Sequence, residues 1–172
     1  MRADLRLAPE VSEAIRRHGQ ETYPHECCGA LVGTTADGVA RVLDVVPLPN
    51  TTEEGPRRRF LVRASDYQLA ERRAGEMGAE LLGFYHSHPD HPARPSQYDL
   101  DHAWPTFAYI IVSVKGQVHA DVSGDLSRRR AEGAKAELMT VWYLKDDRSS
   151  FEEGRLDHGE NSHTDTAPAV HR

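Results

Sequence analysis

The sequence predicts a single mixed α/β (α+β) domain, a central mixed β-sheet flanked by helices. Three observations predict it. Short apolar runs of strand length are bounded by turn-forming residues. Helical spacings occur before, between and directly after these runs. The order of the two kinds of segment is not the regular alternation of a doubly wound fold. At 172 residues the chain suffices for one domain with a real core. An apolar content of 38% with 13 glycines is that of a globular protein.

The elements follow in order. Residues 10–20 place Val11, Ala14, Ile15 and His18 at helical spacing. CCGALVGT (27–34) reads as a buried strand, Asp37-Gly38 as a hairpin turn, and VARVLDVVPL (39–48) as its partner strand. PNTTEEGPRRR (49–59) has loop composition, and FLVR (60–63) reads as a third short strand. Ser65 or Asp66 can cap a helix running to about Gly78. AELLGFYHSH (79–88) reads as a central strand, and the three prolines of PDHPARP (89–95) forbid regular structure after it. SQYDLDHAW (96–104) opens a short helix, and FAYIIVSVK (107–115) is a buried strand that GQVHADVS (116–123) could extend as a hairpin arm. Residues 124–137 read as a loop or short surface helix, ELMTVWYL (137–144) as a late strand, and RSSFEEGRL (148–156) as a small ordered end. Core-forming residues then become scarce, which predicts a domain over 1–156 and a disordered tail over 157–172.

Composition excludes several functions. A net charge of -6 argues against a general nucleic-acid binder, and the RRR clusters at 57–59 and 128–130 read as solvated loop charge. No apolar run is long enough to span a membrane, and the N-terminal residues form no secretory h-region. The only cysteines, Cys27 and Cys28, are adjacent and point to opposite faces of a strand, so they form no structural disulfide and fit a reducing cytoplasm.

The chemistry concentrates in HSHPDHPARPSQYD, residues 86–99. His86 and His88, two apart at a strand end, share a face and can converge on one ion. The proline turn brings the chain back, Ser96 stands at an N-cap, and Asp99 stands three residues on, at the capping-box position. Two imidazoles, one carboxylate and a water make the open tetrahedral site of catalytic zinc. Ser96 is placed to donate to an oxyanion.

This stretch resembles the JAMM motif of the MPN (Mov34/MPN/PAD-1, JAB) metalloproteases: His-Ser/Thr-His, seven residues, Ser, two residues, Asp. PHECCGALVG resembles the family's upstream glutamate segment, with Glu26 in the matching position. The similarity runs from about residue 7 to 156 and is strongest at 24–33 and 81–113. The resemblance implies an MPN domain with cytidine-deaminase-like layering. It implies that His86, His88 and Asp99 hold one catalytic Zn2+, that Glu26 is the general acid/base, and that Ser96 supports the tetrahedral intermediate. It further implies a metallopeptidase of the compact bacterial branch. Such an enzyme acts on a peptide or isopeptide bond at the C-terminal Gly-Gly of a ubiquitin-like or sulfur-carrier protein, for example releasing a cysteine or short peptide. The competing readings are a deubiquitinase-like isopeptidase or general peptidase, and a non-catalytic MPN scaffold, against which all five residues speak. Partner contacts are expected near 49–59 and 116–136. Exposed strand edges leave a homodimer open. His91 and His102 lie near the motif and read as solvated polar residues rather than ligands.

Overall fold

The computed structural model describes residues 5–50, 62–119 and 130–158. Most of the expected 49–59 loop, the basic cluster at 57–59, the 120–129 part of the expected contact region and the tail from 159 lie outside the described residues. Among the described residues the elements run in the order β1 (Leu5–Leu7), α1 (Pro9–Thr22), β2 (Cys28–Ala36), β3 (Val39–Leu48), α2 (Ala64–Glu76), β4 (Glu80–Pro89), α3 (Gln97–His102), β5 (Ala108–His119), β6 (Arg130–Leu144), β7 (Phe151–Glu153) and β8 (Leu156–Asp157). The strands form one mixed sheet of order β7-β6-β5-β4-β2-β3-β1-β8. The edge strands β7 and β8 are separated by Gly154 and Arg155 alone, whose N–H and C=O bond Val141 of β6 and Leu5 of β1. So short a link requires the sheet to curl until its two edges approach each other.

Alternation along the central strands builds two cores. Tyr85, Cys27, Leu31, Ile110 and Val112 face α1, which contributes Val11 and Ile15. Phe84, Cys28, Ala30 and Tyr109 face the other way, toward α2, which contributes Ala70. The adjacent cysteines thus enter opposite cores, as strand geometry requires. Burial pushes their thiols up, to about 11 for Cys27 and about 12 for Cys28, so both are packing groups rather than nucleophiles.

Several local rules act as expected. Pro9 opens α1 at a position whose N–H needs no intrahelical partner. Asp37 and Gly38 both adopt positive φ, 52° and 76°, the tight hairpin geometry that joins β2 to β3. Others differ. Val62 and Arg63 are in no strand: Arg63 is extended because it is the N-cap of α2, with Asp66 accepting its backbone N–H from position N3. The cap therefore stands two residues before Ser65 and three before Asp66. Residues 130–136 are not a loop or helix but the first half of β6, paired with β5 as far as His119. The three-residue β1 lies beside β3 and β8 in parallel, outside any expected element. Asp157, placed in the tail by the sequence, pairs with Arg6 in β8. No helix among the described residues is long and apolar enough to cross a membrane.

Gly83 sets how closely β4 approaches β5. A Cβ there would lie 1.9 Å from the Ala108 carbonyl oxygen, a backbone atom that cannot step aside. Gly83→Ala is expected to cost about 2–4 kcal/mol of stability, read as a lowered denaturant midpoint at unchanged m. A midpoint within error of wild type would contradict this packing.

Candidate active site

β4 carries the first two site residues. It lies between β2, antiparallel, and β5, parallel, so its C-terminal half is fixed on both edges. Phe84, His86 and His88 share the α2-side face, while Tyr85 and Ser87 face α1. His86 is 1% exposed and His88 7%. Burial pushes His86 below its ordinary value, so at neutral pH it is an uncharged imidazole. The Nδ1 of His88 lies 2.8 Å from the carbonyl oxygen of Pro92. A carbonyl only accepts, so Nδ1 carries the proton, and in the neutral ring Nε2 presents its lone pair to the site.

Asp99 arrives from the first turn of α3. The expected capping box is present: the N–H of Asp99 donates to Ser96 Oγ at 3.1 Å, and the N–H of Ser96 donates to Asp99 Oδ2 at 2.8 Å. Burial works against ionisation of this carboxyl. The Ser96 N–H, donating to Oδ2, favours the ionised form.

The loop between β4 and α3 is pinned at several points. Asp90, at φ 57°, donates its N–H to Val114 and accepts from Tyr23 Oη at 2.5 Å and from the Gly116 N–H at 2.9 Å. Ala93 is buried, and its carbonyl accepts from Thr140 Oγ1 at 2.7 Å. These bonds fix the Pro92 carbonyl that orients His88. Sequence reading passed over Asp90 and Thr140; the one available signal was an Asp at a bend, a residue that tolerates positive φ.

The three ligand atoms form a near-equilateral triangle. Nε2 of His86 and Nε2 of His88 are 3.1 Å apart, and each is 3.3 Å from Asp99 Oδ2. Ligands bonded tetrahedrally at zinc's ~2.0–2.1 Å stand about 3.3–3.4 Å from one another. The Asp99 carboxylate also brings a negative charge for a cation to neutralise. The donor set therefore fits a divalent metal, and its two nitrogens and one oxygen suit zinc among several ions.

Glu26 lies at the entry to β2. Cys28 is opposite His86, and the pairing continues through Ser87 N–H to Cys27 C=O and Cys27 N–H to Ser87 Oγ. Glu26, two residues before the start of the ladder, borders the same groove as His88. Asn50 Nδ2 donates to the Glu26 carbonyl at 3.0 Å and steadies the turn. Glu26 is 6% exposed and lines an open groove with His88, His91, Pro92, Arg94 and Ser96. His86 and Asp99 border a second space walled by Phe84, Trp104, Tyr109 and Phe151. His102 stacks on Tyr98, donates from Nδ1 to its carbonyl and borders the space that His86 and Asp99 border.

If these three side chains hold a metal, it stabilises the fold by linkage. Zn2+ at one hundred times its Kd should add about 2.7 kcal/mol, seen as a raised Tm that a chelator reverses. Asp99→Ala should abolish the rise; an equal rise in that variant would remove Asp99 from the site.

Comparison with known proteins identifies the family. The family described as prokaryotic homologs of the JAB domain matches residues 8–130. A desampylase from Haloferax volcanii is 32% identical over 122 residues, 67% of this chain and 85% of that protein. A probable TtuB-protein conjugate cleaving protease from Thermus thermophilus is 32% identical over 104 residues, 60% of this chain and 66% of the relative. The solution structure of a Salinibacter ruber protein superposes with a TM-score of 0.63 at 38% identity, covering 91% of this chain and 93% of that one. With more than half its length matched by the family, the chain belongs to the prokaryotic branch of the JAB (JAMM/MPN) family.

Proposed function

We propose that the protein is a zinc-dependent metallopeptidase that hydrolyses the bond joining the C-terminal Gly-Gly of a ubiquitin-like or sulfur-carrier protein to an attached amine. The observation that carries this reading is the convergence of His86, His88 and Asp99 into one ligand triangle beside the groove that Glu26 and Ser96 share. His86, His88 and Asp99 would hold the zinc ion, which would make water acidic enough to act as a nucleophile at neutral pH. Glu26 takes the proton of the attacking water and delivers it to the leaving nitrogen as the C–N bond breaks, leaving a carboxylate and an amine. Ser96 Oγ accepts the cap bond from Asp99, so its O–H stays available to donate to the oxygen on which charge develops. An extended Gly-Gly tail, with no side chains, can run along the groove close to the triad.

The names of the two relatives, a desampylase and a TtuB-protein conjugate cleaving protease, support hydrolysis of protein conjugates and give an isopeptide bond as the second reading. Their names support a hydrolase over a scaffold in either case.

Glu26→Gln should lower kcat on a carrier adduct by about 10²–10⁴-fold while Tm and zinc content stay at wild-type values. Mass spectrometry of the adduct before and after incubation provides the measurement. Near wild-type turnover by this variant would remove Glu26 from the proton-transfer role, and an intact adduct with zinc-loaded wild type would overturn the function.

A further inference from the structure

We propose that Arg94 recognises a free carboxylate on the leaving group, so that the preferred substrate carries a single α-linked amino acid rather than a lysine side chain. This rests on the metallopeptidase reading above and deepens it. The ligand triangle lies between two spaces of opposite chemistry. The space bordered by His86 and Asp99 has aromatic walls, whereas the groove bordered by His88 is polar and contains Glu26. A group that returns a proton to the leaving amine must be within hydrogen-bond reach of it. Because Glu26 lines the polar groove, the amine departs there.

The groove lining sets one permanent cation, Arg94, in the same space as Glu26 and the histidines His88 and His91. Arg94 is exposed, and among the described residues no carboxylate forms an ion pair with it. Its backbone is nonetheless held: Arg94 N–H donates to Pro92 C=O at 2.8 Å, the Ala93 carbonyl is bound by Thr140, and Pro95 follows. A guanidinium on a fixed stem loses less freedom on binding than one on a mobile loop. Its planar fork matches a carboxylate through two parallel N–H···O bonds. In an α-linked leaving group the carboxylate is one carbon from the departing nitrogen. In an isopeptide the departing nitrogen is at the end of a lysine side chain, whose own α-carboxyl is four methylenes further off and already in an amide. A cation beside the amine's exit therefore distinguishes the two.

The test uses the zinc-loaded full chain and a bacterial β-grasp sulfur carrier ending in Gly-Gly. Three adducts are made: α-linked alanine, α-linked alaninamide, and Nα-acetyl-lysinamide attached through Nε. Wild type should cleave the free acid with about 10–100-fold higher kcat/KM than the amide, mainly through KM, and the lysine adduct no faster than the amide. Arg94→Ala should bring the free acid down to the amide's rate and leave the amide's rate unchanged, while Arg94→Lys keeps part of the preference. Calorimetry in the Glu26→Gln background gives the same comparison as Kd, without turnover. Equal wild-type rates on acid and amide, or an undiminished preference in Arg94→Ala, overturn the assignment of Arg94 and leave the peptidase reading standing. Failure of wild type on all three adducts overturns both.

Discussion

One oxygen atom holds the site together. Oδ2 of Asp99 accepts the Ser96 N–H that starts α3 and stands 3.3 Å from both histidine nitrogens. The bond that sets the first turn of a helix is thus also the bond that aims the third ligand. A six-residue helix is too short to be stable by itself, so its direction depends on this cap and on the pinned loop before it. Displacing the cap moves the ligand, and displacing the ligand removes half of the capping box. Ser96 is tied into the same arrangement: its oxygen holds Asp99 in place, and the residue lines the groove.

Sheet topology explains why this happens at the end of β4. The neighbouring pairs β2–β3 and β5–β6 are antiparallel, and sequential strands there fold back on themselves. β4 and β5 are parallel, and parallel neighbours require a crossover that carries the chain from the end of one strand to the start of the next. Residues 90–107 are that crossover. It must leave the C-terminal end of β4, where His86 and His88 stand, and pass across that face. The proline turn, Arg94, Ser96 and Asp99 all ride on it. β2 runs against β4 from the other side, and Glu26, two residues before the start of that ladder, borders the same groove. The two histidines are therefore flanked by a neighbour on one strand and a loop forced back over them, and neither depends on the other for its position.

How much of this the sequence disclosed follows from the range of the forces involved. The His-x-His alternation, the Ser96–Asp99 cap and the Asp37-Gly38 turn are each set within four residues, and each reads directly. α1 reads from its apolar spacing for the same reason. β1 is three residues long and exists because β3 and β8 accept it, so no local pattern announces it. The first half of β6 is polar and glycine-bearing and is a strand because β5 extends to meet it. The cap of α2 was misplaced because Arg63 caps through its backbone, with Asp66 reaching back from N3, and no capping side chain marks the position. Glu26 is the clearest case. Sixty residues separate it from His86, one acidic residue among 27, and only strand pairing brings the two together. Resemblance to a family could single it out; spacing could not.

The burial of charge at this end of the sheet argues for chemistry over scaffolding. Asp99 has a side chain 8% exposed and Glu26 is 6% exposed, and both belong to one neighbourhood around His88. Taking a carboxylate out of water costs several kcal/mol unless hydrogen bonds and opposite charge return it. His86, kept neutral by its burial, returns none of that as charge. Apolar residues of similar volume would serve stability better in a module that only bound partners. A site that instead gathers two imidazoles and two carboxylates, orients one ring through a backbone carbonyl and opens on a groove offers what the proposed reaction needs, a donor set for a cation and a proton acceptor. Those are the two requirements of metal-assisted hydrolysis.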